Sequence, residues 1–179
     1  KDPADLFSRL EELYDELLDY EEEAADVKKF FSGNQRTIFD KAINSQELFE
    51  ANRVYLSGSA EDIICQIEDI VSSPVPYSQI IKLPELTSKF EQEFSSVLDE
   101  ERALTKQVIN SDWAKIKREL ELYSASDQLQ SQCETEFKNL LDKTNQAEHI
   151  YEAVAMKDES DRLKARLIKN IQAEFYEQA

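Results

Sequence analysis

The chain has 179 residues, 33% of them charged and 41% apolar, a balance that suits long helices wet on one face and is too apolar for a disordered chain. Its 21 Lys plus Arg against 38 Asp plus Glu leave a net charge of −17, which opposes a nucleic-acid backbone or an anionic membrane as a direct partner. With 2 Gly and 4 Pro there is little room for a phosphate-cradling loop or a hairpin-rich sheet.

Asp2-Pro3 predicts a helix start, a capping carboxylate followed by proline at the first helical position. Leu6, Leu10, Leu13 and Leu17 form one stripe from there, with Tyr14, Leu18 and Ala24 beside it, and the helix is expected to reach Phe30 or Phe31. Ser32-Gly33-Asn34-Gln35 reads as a stop, with Ser32 and Gln35 at capping-box spacing. A second helix then carries Ile38, Ala42, Phe49 and Leu56 inward. Ser57-Gly58-Ser59 is the clearest break, and Ser59 is expected to cap a short helix whose Ile63, Ile67, Ile70 and Val71 make a narrow apolar face. Pro74 and Pro76 end it. Residues 77–82 read as an extended arm or a single helical turn.

Leu83-Pro84-Glu85 opens another helix, with a stripe of Leu86, Phe90, Phe94, Val97, Glu101, Leu104 and Val108. The pattern resumes one residue out of step as Ile109, Trp113, Ile116, Leu120 and Tyr123, as in a long helix whose register shifts. The alternative is a fresh start capped within Asn110-Ser111-Asp112. After the turn-and-cap cluster Ser124-Ala125-Ser126-Asp127 comes a heptad seam, Leu129, Cys133, Phe137, Leu140, Thr144, Ala147, Tyr151 and Val154. An interruption at residues 157–160 precedes Leu163, Leu167, Ile171 and Phe175. A four-residue turn between two heptad-bearing helices forces them antiparallel, so Leu120 is expected near Leu129, and Phe94 near Tyr151 or Val154. Val108, Ile116 and Ile150 would form a second, weaker stripe.

The predicted fold is therefore all-α, an elongated helical bundle with a long antiparallel coiled-coil-like helical hairpin. Residues 1–73 form a three-helix N-terminal part, 74–83 a proline-containing connector, and 84–179 the hairpin with a C-terminal helical extension. The connector is too apolar for a free linker, so Tyr77, Ile80 and Leu83 either dock onto a neighbouring helix or present a partner-binding arm.

Catalytic chemistry finds no motif. His149 is the single histidine and follows Gln146 by three residues, so the paired Glu-x-x-His of a di-iron bundle is missing, and no transition-metal site is expected. The acidic runs at 19–23 and 99–101 lack the spacing of an EF-hand and read as solvated faces, with Glu101 expected to pair with a lysine or mark an opening in the packing. There is no G-x-S-x-G, no G-x-x-x-x-G-K-[ST] and no G-x-G-x-x-G, so neither enzyme activity nor a cofactor is expected. Cys65 and Cys133 are far apart and read as two free, buried thiols in a reducing, cytoplasmic setting. No apolar run reaches 18 residues, and the start at Lys1 without Met reads as a piece of a longer protein.

Three stretches carry a resemblance: Val27-Lys28-Lys29-Phe30-Phe31-Ser32-Gly33-Asn34-Gln35 leading into Ile38-Phe39-Asp40; Pro76-Tyr77-Ser78-Gln79-Ile80 with Leu83-Pro84-Glu85-Leu86; and Asp161-Arg162-Leu163-Lys164-Ala165-Arg166-Leu167. Their order and spacing resemble the helical C-terminal part of large P-loop proteins of the BREX phage-defence systems, the BrxC/PglY type. The resemblance implies a non-catalytic helical arm serving assembly or coupling in a bacterial or archaeal cytoplasm, with the ATPase motor elsewhere in the parent. Its partners would be other proteins or other domains of the parent chain, or further copies in a homo-oligomer. The competing reading is a coiled-coil scaffold segment of an unrelated cytoplasmic protein.

Overall fold

A computed structural model describes residues 3–72 and 77–178, with the side chains of residues 12–20, 22, 25, 37–72 and 79–178. The fold is all-α: α1 (Pro3–Asn52), a 3₁₀ turn (Arg53–Tyr55), α2 (Gly58–Ser72), α3 (Tyr77–Ile80), α4 (Leu83–Leu122), α5 (Asp127–Gln146) and α6 (Ile150–Gln178). No strand occurs among the described residues.

The expected stop at residues 32–35 is absent, and α1 runs through it. Glycine in a helix interior costs about 1 kcal/mol and Ser or Asn less, and only proline forbids the next hydrogen bond. None lies between Pro3 and Pro74. The Asp2 cap and the side chains of Leu6, Leu10, Ala24, Phe30, Phe31, Ser32 and Gln35 fall outside what the structure describes. The helix ends at Asn52, so Leu56 is not on its inner face. It closes the 3₁₀ turn in extended conformation (φ −99°, ψ 151°), its N–H donating to the Arg53 carbonyl at 3.3 Å.

The chain forms two compact units, residues 1–47 with 61–91, and residues 48–60 with 92–179. In the first, Ala42 and Ser45 of α1 are buried, as are Ile63, Ile64, Ile67 and Ile70 of α2 and Leu83, Leu86, Thr87 and Phe90 of α4. Cys65, expected inside, is exposed: it follows Ile64 on α2 and falls off the buried face. Residues 77–80 make a single helical turn. Lys82 then receives the Leu86 N–H at 3.0 Å to open α4, where Pro84 sits in the first turn and needs no partner for the N–H it lacks.

In the second unit α4 is continuous through residues 110–112. Its inner stripe is the expected one at Phe94, Ile109, Ile116 and Leu120, and departs from it between Phe94 and Ile109 and at Asp112. Phe94, Leu98, Thr105, Ile109, Asp112, Ile116 and Leu120 are buried, whereas Leu104 and Val108 are exposed and Val97 is half-buried. No register slip occurs. The inner face takes in Thr105 and Asp112, two polar residues that a hydrophobic pattern discards.

The turn after α4 is a Schellman motif. Ala125 N–H donates to Leu120 O at 3.0 Å, and Ser124 N–H to Glu121 O at 3.2 Å. Leu120 and Ala125, the pair such a motif brings together, both belong to the buried core. Ser124 takes the left-handed position at φ 48°, where glycine is the usual residue. Ser124→Gly is therefore expected to raise unfolding free energy in urea by up to about 1 kcal/mol.

The heptad seam does not continue in one helix. Cys133, Phe137, Leu140, Thr144 and Ala147 are buried as expected, but the chain leaves helical geometry at Ala147 (ψ 123°) and starts again at Ile150. The break falls at residues 147–149, not at 157–160, which α6 crosses with Ser160 buried. Lys143 faces Glu159 at 4.0 Å and Glu136 faces Arg166, so α5 and α6 are antiparallel. Trp113 meets Phe137 at 5.3 Å between ring centroids while the tight turn joins Leu120 to the start of α5, so α4 and α5 are antiparallel too. Hence α4 and α6 run parallel. Ile109, Ile116, Leu120, Cys133, Phe137, Leu140, Leu163, Leu167 and Ile171 form the core of this three-helix arrangement, with Leu129 packed against it as expected. Ile116 and Ile150, assigned to an outer stripe, are fully buried. Tyr151, Val154 and Phe175 sit at the margin, and the inward positions near them belong to Ala153 and Ile171.

Candidate functional site

The chemistry-bearing side chains of the second unit converge on α6. Thr105 Oγ1 donates to Ala153 O at 3.0 Å, and Ser160 Oγ donates to Asp112 Oδ2 at 3.0 Å. Both pairs are 48 positions apart and recur seven residues on along each helix, the repeat of two parallel helices in one register. Ala153 and Ser160 are small and fully buried, which lets the two backbones approach closely. Lys164 Nζ lies 2.9 Å from Asp112 Oδ1 and 2.7 Å from Asp161 Oδ1, and Lys115 lies 3.6 Å from Asp112. Glu101, flagged by its place on the stripe, pairs with Lys157 at 2.9 Å.

At the α5–α6 break Asn52 supplies what the sequence there lacks. It is fully buried. Its Oδ1 accepts the Ile150 N–H at 2.8 Å and the Tyr151 N–H at 3.4 Å, capping α6 from almost a hundred residues away. Its Nδ2 donates to Leu48 O at 2.8 Å and lies 3.1 Å from His149 Nδ1, which makes that nitrogen the acceptor and places the imidazole proton on Nε2. Glu152 Oε2 accepts from the Glu148 and His149 N–H groups at 2.9 and 3.1 Å, and Arg102 donates to Ala147 O at the end of α5. His149 is thus half-buried and stacked on Tyr151 at 4.9 Å, an orienting residue at an edge.

A second cap is also supplied in trans. Ser126 accepts the Leu129 N–H at 3.3 Å, while its own N–H and hydroxyl donate to Glu174 at 3.0 and 2.5 Å. In a capping box the third helical residue would provide that carboxylate. Here that residue is Leu129, and Glu174 of α6 takes its role. The bond from the Ser126 hydroxyl, then that from its N–H, holds Glu174 below the ordinary carboxylate value of 4.5, with burial acting the other way. A depressed carboxylate contributes stability above its unfolded pKa and loses it as pH falls through the folded value. Glu174→Gln should therefore show a smaller loss of melting temperature than wild type on acidification below about pH 4.5; an identical acid limb would overturn the assignment.

Of the connector residues, Leu83 is fully buried and Ile80 half-buried, while the Tyr77 side chain lies outside the described residues. Among the described residues no group of three His, Cys, Asp or Glu converges to hold a metal ion, and no helix is long and apolar enough to cross a membrane. Burial holds the Cys133 thiol above its ordinary value and so protonated, with Glu136 adding to the shift. Shallow grooves of about 440 Å³ lie between α5 and α6, beside Leu140 and Leu163, and on α4 beside Leu104 and Val108. Pattern reading missed Asn52, Thr105, Asp112 and Ser160, because each is polar and its partner lies 48 or more positions away. The signal that was available is weak: Thr105 and Asp112 stand seven apart, in step with Leu98.

Buried polar side chains committed to fastening helices, on an all-α frame, define a helical packing module. Residues 1–53 match the family described as the BREX ATP-binding protein BrxC alpha helical domain, and residues 112–174 match the BrxC seventh domain. The chain belongs to the BrxC-type BREX proteins. The second match begins at Asp112 and ends at Glu174, spanning the end of α4, α5 and most of α6. No solved structure matches the chain.

Proposed function

We propose that the chain is a non-catalytic helical module that holds domains or protein partners together within a BREX ATP-binding protein. The observation that carries this reading is where the polar groups are used. Asn52, Thr105, Asp112 and Ser160 are all buried, and each is consumed in bonding one helix to another. Side chains buried and bonded between helices in this way are shut off from solvent, and so from a substrate. The charge of −17 points the same way, toward protein rather than nucleic-acid partners. Leu83 is buried, so on this reading partner contact by the connector falls to Tyr77 and Ile80.

The test uses the chain and its parent. The chain by itself should not hydrolyse ATP, nor bind duplex DNA with submicromolar affinity at about 150 mM salt. Deleting it from the parent should leave nucleotide binding intact and disrupt assembly, read by sedimentation. Turnover by the isolated chain, or undisturbed assembly of the deleted parent, would overturn the proposal.

A further inference from the structure

Every described side chain of α1 from Glu12 to Tyr20 is exposed. Five of these nine are large and apolar: Leu13 and Leu17 at 55% exposure, Tyr14 at 62%, Leu18 at 41% and Tyr20 at 69%. Scattered single apolar residues are ordinary on a surface, whereas a contiguous face is the mark of an interaction site. At about 100° per residue, Leu13, Leu17 and Tyr20 fall in one narrow stripe with Tyr14 and Leu18 adjoining it. The 4-3 spacing is that of a coiled-coil seam, and the sequence keeps it, with Leu6 and Leu10 before and Ala24 and Val27 after.

Charge decides the occupant. Between Arg9 and Lys28 the sequence has nine carboxylates and no Lys or Arg. On the helical wheel Glu12 and Glu16 border the stripe on its Tyr20 side, and Glu21 borders it on its Leu17 side, next to Tyr14. A second copy of α1 is disfavoured: a parallel seam sets Glu16 of one helix against Glu21 of the other, the flanking positions that choose coiled-coil partners. An anionic membrane meets the same repulsion. Resting on the reading of the chain as an interaction module, we infer that this face docks an amphipathic helix of a partner protein whose apolar stripe is flanked by Lys and Arg. The stripe provides the buried contact, and the flanking ion pairs provide selection and salt dependence.

The probe is a synthetic peptide of about four heptads, Leu on the seam and Lys at the flanking positions, set against the same peptide with Glu in place of Lys. Titrated into the full 179-residue chain, the Lys peptide should bind at least about tenfold tighter than the Glu peptide, and more weakly as salt rises. Leu13→Ser with Leu17→Ser leaves the charge unchanged, so it separates docking from bulk attraction to an acidic protein. This double variant should keep the wild-type melting temperature and lose at least about tenfold in affinity for the Lys peptide.

Equal affinity for the two peptides, or undiminished binding by the double variant, would overturn the inference. A lowered melting temperature in that variant would do so as well, since the face would then be covered within the chain. Self-association of the chain that the double variant abolishes would assign the face to a second copy instead. In the parent protein, assembly lost on deletion of the chain but retained by the double variant would sink this inference and leave the module reading standing.

Discussion

Asn52→Ala is expected to lower the unfolding free energy by about 3–4 kcal/mol, because a fully buried amide with four partners would leave several of them unsatisfied. The Ile150 and Tyr151 N–H groups would lose their acceptor at the N-terminus of α6, where the orphan donors of a helix have no partner in their own chain segment. Asn52→Leu separates hydrogen bonding from volume: it nearly fills the space and restores no bond, so it should cost about as much as alanine. His149→Ala removes a single half-buried partner and should cost about 1 kcal/mol. Urea unfolding gives all three values, and amide exchange at Ile150 and Tyr151 should accelerate in both Asn52 variants. A near-neutral Asn52→Leu would mean that the cap does not hold α6.

The Asn52 cap also marks the limit of what the sequence discloses. Long helices, the connector prolines and the Ser124–Asp127 turn are legible because each rests on local chemistry: apolar spacing, a missing N–H, or a capping hydroxyl. The break at residues 147–149 is not legible, because no Gly or Pro lies there. It is imposed by Asn52 and Arg102, whose side chains bond the backbone of this stretch from elements far away in sequence. Conversely, Gly33 and Asn34 look like a stop and are not one, because about 1 kcal/mol of helix propensity does not end a helix by itself.

The inner face of α4 teaches a related lesson. Leu104 and Val108 satisfy a hydrophobic pattern better than Thr105 and Asp112, yet the polar pair is inside. A buried polar residue is tolerated only when bonded, and the bonds come from Ala153, Ser160 and Lys164 of α6. Hydropathy assigns such positions to solvent, so the register slip it implied was an artefact of leaving them out. For the candidate interaction surface the situation is reversed. The Leu13–Leu17 stripe is plain in the sequence, and only its exposure separates a docking face from a core face.

Asp112→Ala should lower stability by about 3 kcal/mol, since it breaks a buried ion pair and strands a buried hydroxyl. The Asp112 side chain is 6% exposed, and Ser160, which donates to it, is fully buried. Lys164 keeps Asp161 at 2.7 Å, which holds the loss below that of a fully isolated charge. Removing the whole polar cluster at once, Asp112→Leu with Ser160→Ala and Lys164→Met, should recover stability to within about 1 kcal/mol of wild type. Such a variant would separate net stabilisation from the choice of register between α4 and α6. The pH dependence gives a second reading. Bonds to Asp161 and then Asp112 hold the Lys164 ammonium above its ordinary value of 10.5, with burial opposing them. A raised amine contributes stability below its unfolded pKa and loses it as pH rises through the folded value. The gap between wild type and Asp112→Ala should therefore narrow at strongly alkaline pH, leaving the part due to the Ser160 hydroxyl. A gap that stays constant across that range would mean that Lys164 contributes nothing through Asp112, and that the Ser160–Asp112 hydrogen bond alone carries the effect.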